Sequence, residues 1–464
     1  MDRESVLSTA EVAALAGVHR DTLLRWLRQG LVPEPGRDWR GWRVFSRPEA
    51  ERIVRFATTE PSVTVGPYRS PRNLRLEEID WDFPGATTGY LTHGFHPYPA
   101  KFIPQIPNLL IQELSSVGDR VCDIFCGSGT TLVEALILKR HAVGVDANPL
   151  AVLVSQAKTT RLQEGDKELL RILATRSREL GDSLTVLSDE SEPLLFSPHP
   201  FQSLAPRPSP EEIGQWFDPF ITEELAELLS WCRDLPTLTS RTAALASFSA
   251  IIVAVSRQDS DTRYVGRDKG FKPGDAFRKF ANTLERNINA LVELTDLAEL
   301  RFNCEVLLGN VLDAPDIGKV DLVVCSPPYP NAYSYHLYHR TRMAWLRMDQ
   351  ERRFKEVEIG SHRKYSRRGK NRVTVQTFRS EMERVFAWLR NHLRKGGFAC
   401  FVIGDSVLDG ELVDNAELLA QAASGVNFAE VSRISREIDR TRGAFNPSHG
   451  KNRKGEHILI LERQ

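Results

Sequence analysis

The chain has 464 residues, 41% hydrophobic and 26% charged, with 61 basic residues balancing 61 acidic ones. That length suits roughly two to four domains, and a zero net charge excludes a uniformly basic surface, so any nucleic-acid footprint must be local. No stretch approaches the about 18 apolar residues of a membrane span, and the opening Met-Asp-Arg-Glu-Ser has no apolar signal-peptide core.

Residues 1–56 read as a small module. Ser8 to Glu11 fits a capping box and opens a helix through Val12, Leu15 and Ala16. Gly17-Val18 makes a tight turn. A second helix carries Leu23, Leu24 and Leu27 on one face and Arg20, Arg25 and Arg28 on others, until Gly30 and Pro33 stop it. Arg37, Arg40 and Arg43 then interleave with Trp39 and Trp42, as in a short hairpin or wing. Pro48 to Phe56 predicts a closing helix. Residues 57–80, rich in Pro, Ser, Thr and Arg, predict a linker.

From Trp81 the pattern changes. Arg120–Phe125 predicts a strand, Thr131–Lys139 a helix and His141–Val145 a strand ended by Asp146. This order predicts a parallel α/β sheet. Residues 156–300 read as a long helical insertion with a Ser- and Pro-rich stretch at 188–210. Strands resume at 306–308, 322–325 and 398–403, with a last one at 457–461. The expected catalytic domain is thus 81–155 together with 301–464. Six cysteines, at 122, 126, 232, 304, 325 and 400, lack paired zinc spacing. Reduced thiols are expected, with no disulfide and no metal.

Three motifs carry chemistry. Asp123-Ile-Phe-Cys-Gly-Ser-Gly-Thr130 lies on a strand-to-helix turn, where an open α/β sheet binds ligands. Gly127 and Gly129 let backbone come close to a ligand. A dinucleotide fingerprint is not complete, because Leu132 stands where its third glycine would be. Asp146 ends the next strand, about 20 residues on, where a carboxylate can accept from ribose hydroxyls. The alternative for Asp146 or Asn148 is a plain helix cap. Finally, Asp321 to Tyr329 is a buried strand running into Ser326-Pro-Pro-Tyr329. The prolines fix φ and remove two backbone donors. Carbonyls and the Ser326 hydroxyl remain as acceptors for an amino group, and Tyr329 offers a stacking face.

These motifs together resemble the amino-group DNA methyltransferases, which make N4-methylcytosine or N6-methyladenine. The resemblance covers residues 90–155 and 303–463. It implies a Rossmann-like methyltransferase sheet, with S-adenosyl-L-methionine as cofactor. Asp123, Phe125, Gly127, Gly129 and Thr130 would line its methionine end, Asp146 would hold the ribose, and Asp313 would lie near the adenine. His96-Pro-Tyr-Pro-Ala-Lys-Phe-Ile-Pro104 resembles a further family motif, placing Lys101 and Phe102 at the methionine carboxylate. Ser326, Pro327, Pro328 and Tyr329 would form the catalytic pocket. Double-stranded DNA with a flipped base is the implied partner. Serine at the first pocket position favours cytosine-N4 over adenine-N6. A cytosine-C5 enzyme would need a Pro-Cys nucleophile, and the chain has no such dipeptide.

The N-terminal module resembles the MerR-type winged helix-turn-helix, over Thr9 to Trp26 and Gly41 to Ser46. Arg20, Arg25, Arg28, Arg40 and Arg43 would then contact DNA. Arg363, Lys364, Arg367 and Arg368 form a second basic cluster suited to phosphates, and Arg436 to Lys454 a third. Ser256 to Tyr264, a dense polar run, reads equally as a base reader or as an internal brace. A prokaryotic, cytoplasmic, nucleoid-associated enzyme is expected, and such enzymes can act with a restriction or phage-defence partner. Two other readings stand beside it: an RNA methyltransferase, and a DNA-binding regulator with an inactive methyltransferase-like body. The oligomeric state and recognition sequence stay open.

Overall fold

The computed structural model describes residues 7–16, 23, 27, 32–33, 35–37, 43–58, 76, 79–83, 85–190, 201–260, 263–330, 334–348, 358–361, 365, 373–408, 410–436 and 455–464. The chain divides into two compact units, Met1–Leu74 and Arg75–Gln464.

In the first unit, β1 (Leu7–Ser8) leads into helix α1 (Thr9–Leu15). The capping box is present: the Ser8 hydroxyl accepts from Glu11 N, and the Glu11 carboxylate accepts from Ser8 N at 2.8 Å. Strands β2 (Gly36–Arg37) and β3 (Arg43–Phe45) complete a sheet of order β1-β3-β2. Helix α2 (Arg47–Thr58) starts one residue before the expected span and ends two after it. Val12, Leu23, Leu27, Phe45 and Ile53 share one buried core. Leu23 and Leu27 thus face inward, as their spacing on one helix face requires.

The second unit is built on a seven-stranded sheet. Its strands are β4 (Arg120–Asp123), β5 (His141–Asp146), β8 (Cys304–Leu308), β9 (Val320–Cys325), β10 (Leu393–Gly404), β13 (Phe428–Arg436) and β14 (Glu456–Arg463). Their order is β13-β14-β10-β9-β4-β5-β8. β8, β5, β4, β9 and β10 run parallel, and β14 pairs antiparallel with both β10 and β13. This is a Rossmann-like sheet with an antiparallel strand pair at one edge. The chain winds outward from β4 through β5 to β8, then returns to β9 on the other side of β4. Its direction reverses between β4 and β9, and open α/β sheets place ligands outside the strand ends at such a point.

Helices cover both faces. On one, α3 (Gln105–Leu114) packs on β9, α4 (Thr130–Ile137) on β4 and β5, and α5 (Pro149–Thr159) on β8. On the other, Phe378, Val385 and Phe386 of α11 (Val375–His392) and Leu419 of α12 (Asn415–Ser424) share a core with Val323, Cys325 and Phe401. Cys325 is therefore a packing residue. All six cysteines are free.

Between α5 and β8 lie α6 (Glu164–Glu190), α7 (Pro219–Arg233), α8 (Leu238–Ile251) and α9 (Asp275–Leu297). They form one core with Leu150 and Val154 of α5 and with Trp345 of α10 (Arg340–Leu346). Buried Glu224 accepts the Gly274 and Ala276 N–H groups at the start of α9, at 2.6 and 2.9 Å. The polar run after α8 is a hairpin of β6 (Gln258–Ser260) and β7 (Arg263–Gly266), with Arg257 paired to Asp218. A second hairpin, β11 (Ser406–Leu408) and β12 (Glu411–Val413), follows β10. Among the described residues no helix is long and apolar enough to cross a membrane.

Candidate active site

The loop after β4 is shaped by what lies behind it. The Asp123 carboxylate is buried and accepts from Phe125 N at 3.1 Å. Burial pushes its pKa up to about 7. Gly129 has φ +73°, and a Cβ there would sit 3.1 Å from Ser155 Cα. Only glycine meets both conditions cheaply. Ser155 in turn donates to the Gly127 carbonyl at 2.8 Å.

At the end of β5, Asp146 accepts from two backbone groups, Gly127 N and Asn148 N, each at 2.8 Å. Burial dominates its titration and raises it to about 6. Asn148 caps α5 by accepting from Leu150 N at 3.0 Å. The plain-cap alternative holds for Asn148, and the same residue lines the cleft.

That cleft, about 830 Å³, opens at the reversal point. Phe125, Gly127 and Thr130 of the loop after β4 line it, with Asp146, Lys101, Phe102, Asn310 and Val311. Ser326 and Pro328, on the turn leaving β9, face the same space. Residues 201 apart in sequence join these strands: Arg120 N donates to Asp321 at 2.8 Å. Asp123 and Asp313 do not line the cleft. Asp123 lies beneath the loop that it shapes, and Asp313 is exposed in the turn Val311–Asp313, whose cap Asn310 takes the lining position. Pro327 is buried, and Tyr329 is half-buried against Gly404.

Several lining residues escaped the motif reading. Tyr98 stacks on Tyr335 with ring centroids 6.0 Å apart, and His339 lies 4.9 Å from Tyr98. The helical region braces this wall. His96 Nε2 sits 3.0 Å from the Ser249 hydroxyl of α8, and Arg342 donates to the Ser249 carbonyl at 3.0 Å. Burial holds the His96 imidazole well below its ordinary pKa. It is thus neutral, with Nδ1–H donating to the Pro97 carbonyl at 2.7 Å and Nε2 accepting from Ser249. Glu358 and Ile359 line the same cleft as Ser326. No local pattern marks Glu358, which lies far along the chain from the motifs it meets.

The DNA-facing expectations fall mostly beyond this description. Arg20, Arg25, Arg28, Arg40, Arg363, Lys364, Arg367 and Arg368 lie outside the described residues. Arg43 is half-buried on β3.

Residues 47–157 match the DNA methylase family model. Over that stretch the chain is similar to the DNA methylases. Residues 8–45 match the model of the MerR family regulatory proteins. Among curated relatives, the type II methyltransferase M.MjaII of Methanocaldococcus jannaschii is 38% identical over 95 residues, 19% of this chain and 18% of that protein. M.MvaI of Kocuria varians is 26% identical over 306 residues, 60% of this chain and 62% of that protein. The chain thus spans less than two thirds of either relative. TrmN from Thermus thermophilus aligns with 99% of this chain and 81% of its own at 12% identity, with a TM-score of only 0.31. The fold assignment therefore rests on the strand order.

Proposed function

We propose that this chain transfers the methyl group of S-adenosylmethionine to the N4 amino group of cytosine in DNA. The observation that carries the reading is that Ser326 and Pro328 line the same cleft as the Phe125–Gly127 loop. The lining suits the cofactor: a glycine turn, a carboxylate at Asp146 for the ribose, and Lys101 for a carboxylate. When bound, S-adenosylmethionine supplies a sulfonium methyl group.

The chain's own part is to present the amine. An exocyclic amine conjugated with its ring is a poor nucleophile. Accepting both of its N–H groups concentrates electron density on nitrogen. The Ser326 hydroxyl and the Pro327 carbonyl are the acceptors in this reading, and Tyr329 stacks on the base. The base leaves the duplex to reach them, at a cost of a few kcal/mol. Orientation within the cleft then supplies most of the rate.

Residues 1–56 serve in sequence-specific DNA contact, supported by the MerR match over 8–45. Residues 156–300 serve in target recognition or clamping, supported by the brace from Ser249 to His96 and Arg342. Serine rather than aspartate or asparagine at position 326 supports cytosine over adenine.

The test is to incubate the full chain with methyl-labelled cofactor and with unmethylated genomic DNA or RNA, then map modified bases. N4-methylcytosine in DNA is expected. N6-methyladenine would move the target, and label in RNA alone would overturn the reading. Ser326→Ala should abolish transfer while cofactor binding persists.

A further inference from the structure

The cleft holds a carboxylate for which the chemistry above has no use. Glu358 is only 4% exposed, yet lines the cleft with Ser326, Pro328 and Tyr335. Both oxygens are fixed: Oε1 accepts from Tyr335 N at 2.6 Å, and Oε2 lies 2.6 Å from His336 Nδ1. The segment that carries it is clamped to the catalytic turn. Ser361 Oγ lies 3.0 Å from Ser334 Oγ, and Gly360 sits directly under the Tyr329 carbonyl. A carboxylate oxygen has two lone pairs, so each keeps a free acceptor site.

Methylating an amine leaves a cation that must lose a proton. Neither the Ser326 hydroxyl nor a proline carbonyl is basic enough to take up a further proton near neutral pH. Among the described lining residues the other carboxylate is Asp146, at the end of β5 on the cofactor loop, and the reading above commits it to the ribose. With serine in the first pocket position, the turn itself has no ionisable acceptor.

On the methyltransferase reading above, we infer that Glu358 is the proton acceptor of the transfer step. The amine nitrogen forms its bond to the methyl carbon as the sulfur–carbon bond breaks, and the sulfur keeps that electron pair as a neutral thioether. The nitrogen, now cationic, gives one N–H proton to the Glu358 carboxylate. The resulting carboxylic acid returns the proton to water once product leaves.

The test uses the full chain, labelled cofactor and unmethylated genomic DNA under single-turnover conditions. Glu358→Gln preserves shape and should slow transfer by about 100-fold or more, with the cofactor Kd unchanged within about threefold. Glu358→Ala should be equally slow and should recover when formate, a small carboxylate, is added. A Glu358→Gln rate near that of the unaltered chain overturns the inference, as does a Glu358→Ala rate that formate leaves unchanged. Loss of cofactor binding in Glu358→Gln would assign the residue to binding instead. If the unaltered chain methylates no DNA, the functional reading fails and the inference falls with it.

Discussion

Gly127 donates its backbone N–H to the Asp146 carboxylate over 2.8 Å, tying the turn after β4 to the end of β5. The glycine turn and the end of β5 are thus hydrogen-bonded to each other on the wall of the cleft. The Asp146 carboxylate is raised to about 6, chiefly by burial. Below that pH Asp146 is protonated, and above it ionised.

Cofactor affinity should therefore rise with pH through about 6, because the ionised carboxylate is the better acceptor for hydroxyl donors. Folding responds in the opposite sense. A raised carboxyl pKa contributes stability below its ordinary range, and that stability is lost as pH rises through the folded value. Titration calorimetry from pH 5 to 8 should show the affinity gain, and Asp146→Asn should bind weakly at every pH. A flat profile in the unaltered chain would remove Asp146 from the ribose role.

Gly129→Ala meets two obstacles, the positive φ and the Ser155 backbone 3.1 Å away. A left-handed alanine costs about 1–2 kcal/mol before any clash. Cofactor binding should fall more than overall stability, since the strain is local to the loop. Adding Ser155→Gly should restore little, because the neighbouring backbone stays in place. Parallel melting and binding curves separate the two effects.

Gly360→Ala would set a Cβ 2.7 Å from the Tyr329 carbonyl, at φ +72°. The 358–361 segment must then lift from the catalytic turn. Methyl transfer should drop by at least about tenfold, equivalent to roughly 1.4 kcal/mol. Cofactor affinity should hold, because the Asp146 wall is untouched. Equal loss of both would show that the two sides of the cleft are not separable.

Glu134 is fully buried and accepts from Tyr90 Oη at 2.7 Å and Asn108 Nδ2 at 2.6 Å, with His93 Nε2 at 2.6 Å. It fastens the segment before α3 to α4. Glu134→Ala leaves those buried groups without their acceptor, and a cost of about 3–5 kcal/mol is expected in denaturant unfolding. Glu134→Gln should cost less, since it retains one acceptor oxygen.

The basic residues proposed to meet phosphates give a salt signature. Replacing Arg367 and Arg368 by Ala should flatten the plot of log affinity against log salt by about 0.9 per lost contact. DNA affinity should fall at low salt and converge with the parent at high salt. Identical slopes would place these arginines away from DNA.

The strands flanking the cofactor turn were legible because each combines an apolar run with a turn signal. Arg120–Asp123, His141–Asp146 and Val320–Cys325 all appeared within two residues of their expected limits. β13 was missed, since Glu430, Ser432, Arg433, Ser435 and Arg436 make it polar at a sheet edge. The hairpin at Gln258–Gly266 read only as a polar run, because its strands are short and charged. Within the site, contiguous motifs carried Gly127, Asp146 and Ser326. Tyr98 lay inside a quoted motif, but its role as a wall depends on stacking with Tyr335, a contact that no local pattern encodes. Asp313, matched by its position in the chain, is exposed, and it is Asn310 of the same turn that lines the cleft.

The strand pairing has a consequence for synthesis. β4 and β9 are neighbours although Arg120 and Asp321 lie 201 residues apart. A growing chain has made its glycine turn long before the strand beside it exists. Until Ser326 has left the ribosome, the cleft lacks a wall and β4 has an unpaired edge. At about 5–20 residues per second, that interval lasts on the order of ten seconds or more. The helices between α5 and β8 fill it: α6 to α9 can gather around α5 while β4 still waits for its partner. A ligand that stabilises only the closed cleft can favour folding only after the last of these pieces arrives.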